Sequence, residues 1–210
     1  MSIIATWSDK GGTGKTTLST SLACCFASGP LPLYDLDPQR DAARWAARRD
    51  IPCTSLGVDD ARQFLQDHAD SPELVVVDLP PGVPGLTIAA LAEVCLVPTR
   101  PGDADLVALG RALKQLNRAR QAGNPDLKIG VVLTQARVGT VRTETVEQAL
   151  RVMAEMESFA YLGRLSHRVQ IESAGASGQD LLRCGDGAVV HEFRCILSGI
   201  SELLGSRNIE

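Results

Sequence analysis

Apolar residues fall along the chain in short contiguous runs, separated by longer stretches with helical spacing. "SIIATWS" (2–8) reads as a first strand and runs directly into a glycine-rich loop. In "KTTLSTSLACCFAS" (15–28), Leu18, Leu22 and Phe26 recur every four residues on one helix face, with Gly29 as the stop. "LPLYDLD" (31–37) predicts a second strand, weakened at its start by Pro32. A helix follows over "RDAARWAARR" (40–49), then a short strand in "PCTSL" (52–56). "DARQFLQDHA" (60–69) reads as a helix begun by Asp59 or Asp60. "ELVVVDLPPG" (73–82) holds a buried strand, Leu74 to Val77, that ends at Asp78 and a Pro/Gly loop. Further strands fall in "VCLVPT" (94–99), "KIGVVLTQ" (128–135) and "FAYLGRLS" (159–166). Helices fall over 103–123, 141–156 and 188–205. Strands alternating with helices predict an α/β fold: one domain over 1–210, with a mostly parallel twisted sheet and helices on both faces.

Composition narrows the class without naming a function. The chain has 210 residues, 44% hydrophobic and 22% charged, with a formal net charge of −4. That suits a globular core and weighs against a protein coated in nucleic acid, while leaving room for a local basic patch. Arg outnumbers Lys by 17 to four, yet two of the four lysines, Lys10 and Lys15, lie in the opening loop. The six cysteines (Cys24, Cys25, Cys53, Cys95, Cys184, Cys195) form no C-x-x-C pair and read as reduced thiols, Cys24 and Cys25 in a helix. The N-terminus shows no basic n-region, and no apolar run reaches the length of a membrane span, so a cytoplasmic location is expected.

The chemistry concentrates at three strand ends. Gly11-Gly12-Thr13-Gly14-Lys15-Thr16-Thr17 sits where a strand meets a helix. Glycines let backbone N–H groups curve round phosphates, and the helix N-terminus adds its own N–H groups. Lys15 can reach the β- and γ-phosphates, and the Thr16 hydroxyl can bind Mg²⁺. The general pattern G-x-x-x-x-G-K-[ST] fails at its first position, where Asp9 stands; what remains is K-G-G-x-G-K-T, with Lys10 at its head. In "DLDPQ", Asp35 and Asp37 are two apart at a strand end, able to hold a metal's water shell and to orient an attacking water. Asp78, at the carboxyl end of an apolar strand, has the place of a second metal-binding carboxylate. The loop after it, with Pro80, Pro81 and Gly82, is a candidate γ-phosphate sensor.

Together, Lys10 with the variant loop, "DLDPQ" and "VVVDLPPG" resemble the ParA/MinD family of deviant phosphate-loop ATPases. "VPTRPGDADL", "GVVLTQARVGT" and "RVQIESAGASG" resemble later ParA stretches, so the likeness covers nearly the whole chain. The resemblance implies a phosphate-loop NTPase-like fold that binds ATP and Mg²⁺, hydrolyses slowly and forms an ATP-dependent homodimer. It implies that Lys10 reaches the partner's nucleotide and that residues 10–17 hold phosphate. It further implies Thr16, Asp35 and Asp78 at the metal, and Lys10, Lys15 and Asp37 in catalysis. Family members bind adenine near an Asn-Arg pair after a late strand; here that strand ends Thr134-Gln135-Ala136-Arg137, which leaves the base contacts unassigned.

The resemblance also implies nonspecific DNA on the nucleoid, a small ParB-like or cargo-adaptor activator, and a segregated or positioned cargo: a plasmid, a chromosome region or a protein assembly. Arg40, Arg44 and Arg48 form one candidate basic stripe; Arg111, Lys114 and Arg118 form another. The alternative is a MinD-like membrane-associated positioning ATPase. It needs a basic amphipathic C-terminal helix, and "RCILSGISELLGSRNIE" is not lysine-rich and ends acidic, so no membrane contact is expected. A metabolic or metal-carrier enzyme on the same fold is a second rival, without the paired cysteines that iron–sulfur relatives use.

Overall fold

A computed structural model describes residues 1–26, 29–49, 51–68, 70–156 and 158–205. The strands are β1 (Ser2–Thr6), β2 (Leu33–Asp35), β3 (Cys53–Ser55), β4 (Leu74–Asp78), β5 (Val94–Thr99), β6 (Lys128–Ala136) and β7 (Ala160–Ser166). They pair in the order β3-β2-β4-β1-β5-β6-β7, every pair parallel. The helices are α1 (Lys15–Ala23), α2 (Asp41–Ala47), α3 (Val58–Asp67), α4 (Val83–Ala89), α5 (Asp103–Ala122), α6 (Val141–Met156), α7 (Val169–Ser177) and α8 (Gly187–Leu203).

The strands are apolar on both sides because the sheet is covered on both sides. Alternate residues of β1 enter different cores: Ile3, Ala5 and the following Trp7 join α3, α4, α5 and α6, while Ile4 joins α1, α2 and α8. Pro98 lies inside β5 without breaking a ladder. β1 pairs with β5 only as far as Leu96, so the missing N–H of Pro98 faces no β1 partner.

Register places the site. Thr6 and Asp35 both pair with Asp78, which sets the ends of β1, β2 and β4 at one level. The glycine loop leaves β1 at that level. This is the carboxyl edge of the sheet, beside the strand where connections diverge to either side, where α/β sheets bind ligands.

Several elements differ from the expected ones. α1 stops at Ala23, well short of Gly29, and residues 27 and 28 lie outside the described residues. Its Ser and Thr hydroxyls turn back on the helix, Thr20 Oγ1 to Thr16 O at 2.6 Å and Ser19 Oγ to Lys15 O at 3.2 Å. Such bonds compete with continued helix. α3 begins one residue before Asp59, with Gly57 as its cap; residue 69 lies outside the described residues. α4 and α7 are helices over stretches to which the sequence pattern assigned no element. α4 has seven residues, and Pro84 in its first turn, a loop signal by composition, is pre-set for a helix start. α7 buries only Ala174, so it carries no apolar stripe to read.

Candidate functional site

The glycine loop is held from the sheet side. Thr134 Oγ1 donates to Thr13 O at 2.7 Å, Gln135 Nε2 to Gly12 O at 3.1 Å, and Ser8 Oγ to Lys10 O at 2.7 Å. With these carbonyls engaged, the N–H groups of the loop are left for an anion. Gly12 and Gly14 have φ of 72° and 96°, the left-handed region in which a side chain strains the backbone. Gln135 also sits there, at φ 51°, which brings its amide onto the loop. Thr134 and Gln135 were not among the expected site residues. They approach the loop from β6, across a sequence gap of more than a hundred residues.

Lys15 opens α1 and is 7% exposed. Burial pushes its ammonium below the usual lysine range, against the opposing pull of Asp78 and Asp37. A buried cation beside the free N–H groups of a helix start fits a polyphosphate. Thr16 Oγ1 donates to Asp78 Oδ2 at 2.7 Å, and Thr6 Oγ1 to Asp78 Oδ1 at 3.1 Å. A hydroxyl in contact with a buried carboxylate is a hard-oxygen pair suited to Mg²⁺.

Asp78 is 1% exposed, and burial pushes its carboxyl up to about 6, with Asp35 repulsion adding to the rise. Because the folded value exceeds the unfolded one, the folded state holds the extra proton between about pH 4 and 6. Metal-free stability therefore falls as pH rises through that window, by about 2–3 kcal/mol in all. Asp78→Asn should remove this loss. In EDTA the variant should be more stable than the wild type at pH 8 and nearly equal at pH 4, read by urea melts; lower stability at pH 8 would contradict the assignment.

Asp35 is fully buried, and both its oxygens are engaged: Oδ1 accepts from Asp37 N at 3.1 Å and Oδ2 from Ala43 N at 2.8 Å. It thereby joins the turn carrying Asp37 to the first turn of α2. Asp37 is half-buried, and its Oδ1 accepts from Gln39 N at 3.0 Å. Arg40, at φ 55°, closes the turn from outside, its guanidinium on the carbonyls of Asp35 and Leu56.

The loop after Asp78 is pinned over Trp7, whose Nε1 donates to Gly82 O at 2.9 Å, while Gly82 N donates to Ser8 O at 3.2 Å. Gly85 allows α4 to pass beneath this loop, since a Cβ there would lie 2.1 Å from Pro80 O. The loop is thus coupled to the residues entering the glycine loop. Lys10, at the mouth, extends to Asp105 Oδ1 at 2.9 Å.

Beside the loop, a cleft of about 350 Å³ is lined by Gly14, Thr17, Gln135, His167, Arg168 and Glu172, among others. Arg168 Nε is buried there without a hydrogen-bond partner.

The basic stripes divide. Arg40, Arg44 and Arg48 are not a free cationic face: Arg40 is turned inward, Arg44 binds Asp41 and Gln39 O, and Arg48 donates to Gly175 O at 3.1 Å. In the second stripe Arg111 pairs with Asp9 at 2.9 Å, whereas Lys114 and Arg118 are exposed with no ion pair among the described residues. No cluster of three or more His, Cys, Asp or Glu suited to a metal occurs among the described residues. Cys24 and Cys25 are free, and burial raises both thiols. No described helix is long and apolar enough to cross a membrane. The apolar face of α8 is spent on the core through Val189, Phe193, Ile196, Leu197 and Ile200.

Residues 4–182 match the CbiA family, the CobQ/CobB/MinD/ParA nucleotide binding domain. Maintenance of carboxysome distribution protein A of Halothiobacillus neapolitanus is 30% identical over 151 residues, 67% of this chain and 69% of that protein. The protein of the same name from Gloeobacter kilaueensis is 35% identical over 117 residues, 51% of this chain and 53% of its own length. Among solved structures, an ATP complex of Cyanothece McdA superposes with a TM-score of 0.75 at 17% identity, covering 100% of this chain and 98% of that one, a likeness of fold.

Proposed function

The chain belongs to the CobQ/CobB/MinD/ParA family of nucleotide-binding domains, and from that premise we propose that it is an ATP-driven positioning switch. It hydrolyses ATP slowly, pairs with a second copy when ATP is bound, holds nonspecific DNA in that state and distributes a cargo across the nucleoid. The observation that carries this reading is the glycine loop with Lys15 buried at its end, Thr16 on Asp78, and Lys10 at its mouth.

Residues 11–17 hold the phosphates, with Lys15 on the β- and γ-phosphates. Thr16 and Asp78 are the oxygen groups that would hold Mg²⁺, which would supply charge neutralisation at the transferred phosphate. Asp35 acts on this centre by fixing the turn that carries Asp37, and Asp37 orients the attacking water. The Gln135–Arg168 cleft takes the adenosine. Lys10 reaches the nucleotide of the second copy, so the loaded state is a dimer, and hydrolysis removes the contacts that favour it.

Two relatives named for carboxysome distribution favour a protein assembly as cargo, met through an adaptor that stimulates hydrolysis. Exposed Lys114 and Arg118 supply a local basic patch for phosphate backbones on an otherwise acidic chain. The DNA reading is preferred to a membrane one because the apolar face of α8 is already buried.

Sedimentation tests the switch. With ATPγS and Mg²⁺ the mass should double, and with ADP it should not. Lys10→Ala should keep nucleotide binding and lose the doubling. A wild-type chain that stays monomeric in ATPγS would refute the switch.

A further inference from the structure

Lys10 is not free at the mouth of the loop. Its Nζ lies 2.9 Å from Asp105 Oδ1, in the first turn of α5. The same oxygen receives Arg100 Nε at 3.1 Å and Arg100 Nη2 at 3.0 Å. Two cations thus share one carboxylate oxygen. The Asp105 side chain is 9% exposed and that of Lys10 is 37% exposed. Burial acts to raise the Asp105 carboxyl, but the Lys10 and Arg100 donors outweigh it and hold the group below the usual carboxylate range. The place is shaped for the carboxylate: a Cβ on Gly102 would lie 2.5 Å from Asp105 Oδ2.

We infer that Asp105 is an intramolecular dock for Lys10 that competes with dimerisation, and that Arg100 makes the dock releasable. This rests on Lys10 acting across the dimer. A carboxylate needs one counterion, and Arg100 supplies it with two N–H donors. Lys10 is the surplus cation, repelled by the Arg100 guanidinium. If Lys10 were the sole partner, its departure would strand a largely buried negative charge, which strongly opposes release. With Arg100 in place, Asp105 stays paired when Lys10 leaves for the phosphates of a second copy. Asp105 and Arg100 are therefore positioning residues that set how readily the dimer forms.

The two residues should act with opposite signs, which a merely structural role does not produce. Asp105→Asn frees Lys10 and should tighten the ATPγS dimer by at least about fivefold in dissociation constant. Arg100→Gln leaves Lys10 as the sole counterion and should weaken the dimer by a similar factor. The double variant should follow Asp105→Asn. Shifts in the same direction, or a weaker dimer in Asp105→Asn, would overturn the inference. A second readout works on the monomer without nucleotide: the acetylation rate of Lys10 by mass spectrometry, with exposed Lys114 as reference. It should rise in Asp105→Asn and fall in Arg100→Gln; a rate unchanged by Asp105→Asn would overturn the dock even if the chain never dimerises. A monomeric wild type in ATPγS with these acetylation shifts intact would instead refute the switch and leave the dock standing. Melting temperatures identify a variant that fails to fold, in which case Asp105→Ser replaces it.

Discussion

Lys15→Gln is expected to weaken ATP binding at least about 100-fold, a loss of ~3 kcal/mol, with no loss of fold stability. The two halves of this expectation have one cause. Lys15 is 7% exposed, and burial disfavours its charge. In the nucleotide-free protein that charge is a burden, so a neutral side chain of similar length should leave the melting temperature unchanged or raise it. With ATP, the same buried cation meets a polyanion where water does not screen it, and its removal takes away the cation that the loop's own helix start supplies beside its backbone N–H groups. Calorimetry with ATP and Mg²⁺, beside a thermal melt of the free protein, separates this from misfolding. Binding within about fivefold of wild type would remove the phosphate-loop assignment.

Where local signals agree, sequence and structure coincide. β5 was read at its observed limits, and the long helices α5 and α6 within a residue of theirs, because turn residues bound clear periodic or apolar runs. α4 and α7 lacked such a run. The phosphate loop, Asp37 and Asp78 stood out as candidates in the sequence because each lies in a contiguous motif at or just past a strand end. Thr134, Gln135, Arg100 and Asp105 did not stand out, because strand order is what brings them to the glycine loop and to Lys10. β5 lies beside β1 and β6 beside β5, so the loops after β5 and β6 meet the loop after β1. Periodicity predicts a parallel sheet but not which strands are neighbours. The Arg40–Arg44–Arg48 spacing misled for a related reason. Arg40 precedes α2 in a left-handed turn, so helical spacing does not apply to it.

Asp37→Asn is expected to slow ATP hydrolysis by about 100-fold or more, and to leave the proposed ATP-bound dimer intact. The choice of Asn follows from the turn. Asp37 Oδ1 accepts from Gln39 N at 3.0 Å, and its own N–H donates to Asp35 Oδ1 at 3.1 Å. An amide oxygen can accept the first of these bonds, and the second uses only backbone, so the loop geometry is retained while the negative charge is lost. The other carboxylate oxygen has no hydrogen-bond partner among the described residues and is the one available to a water. Asp37→Ala removes the turn bond as well and tests the two roles together. Phosphate release under single-turnover conditions measures the chemical step, and sedimentation in ATP measures the dimer. If Asp37 orients water, both variants accumulate dimer in ATP itself, without a slowly hydrolysed analogue. If Asp37 only shapes the turn, Asp37→Asn keeps near wild-type hydrolysis and Asp37→Ala alone is impaired, so the pair of variants separates charge from scaffold.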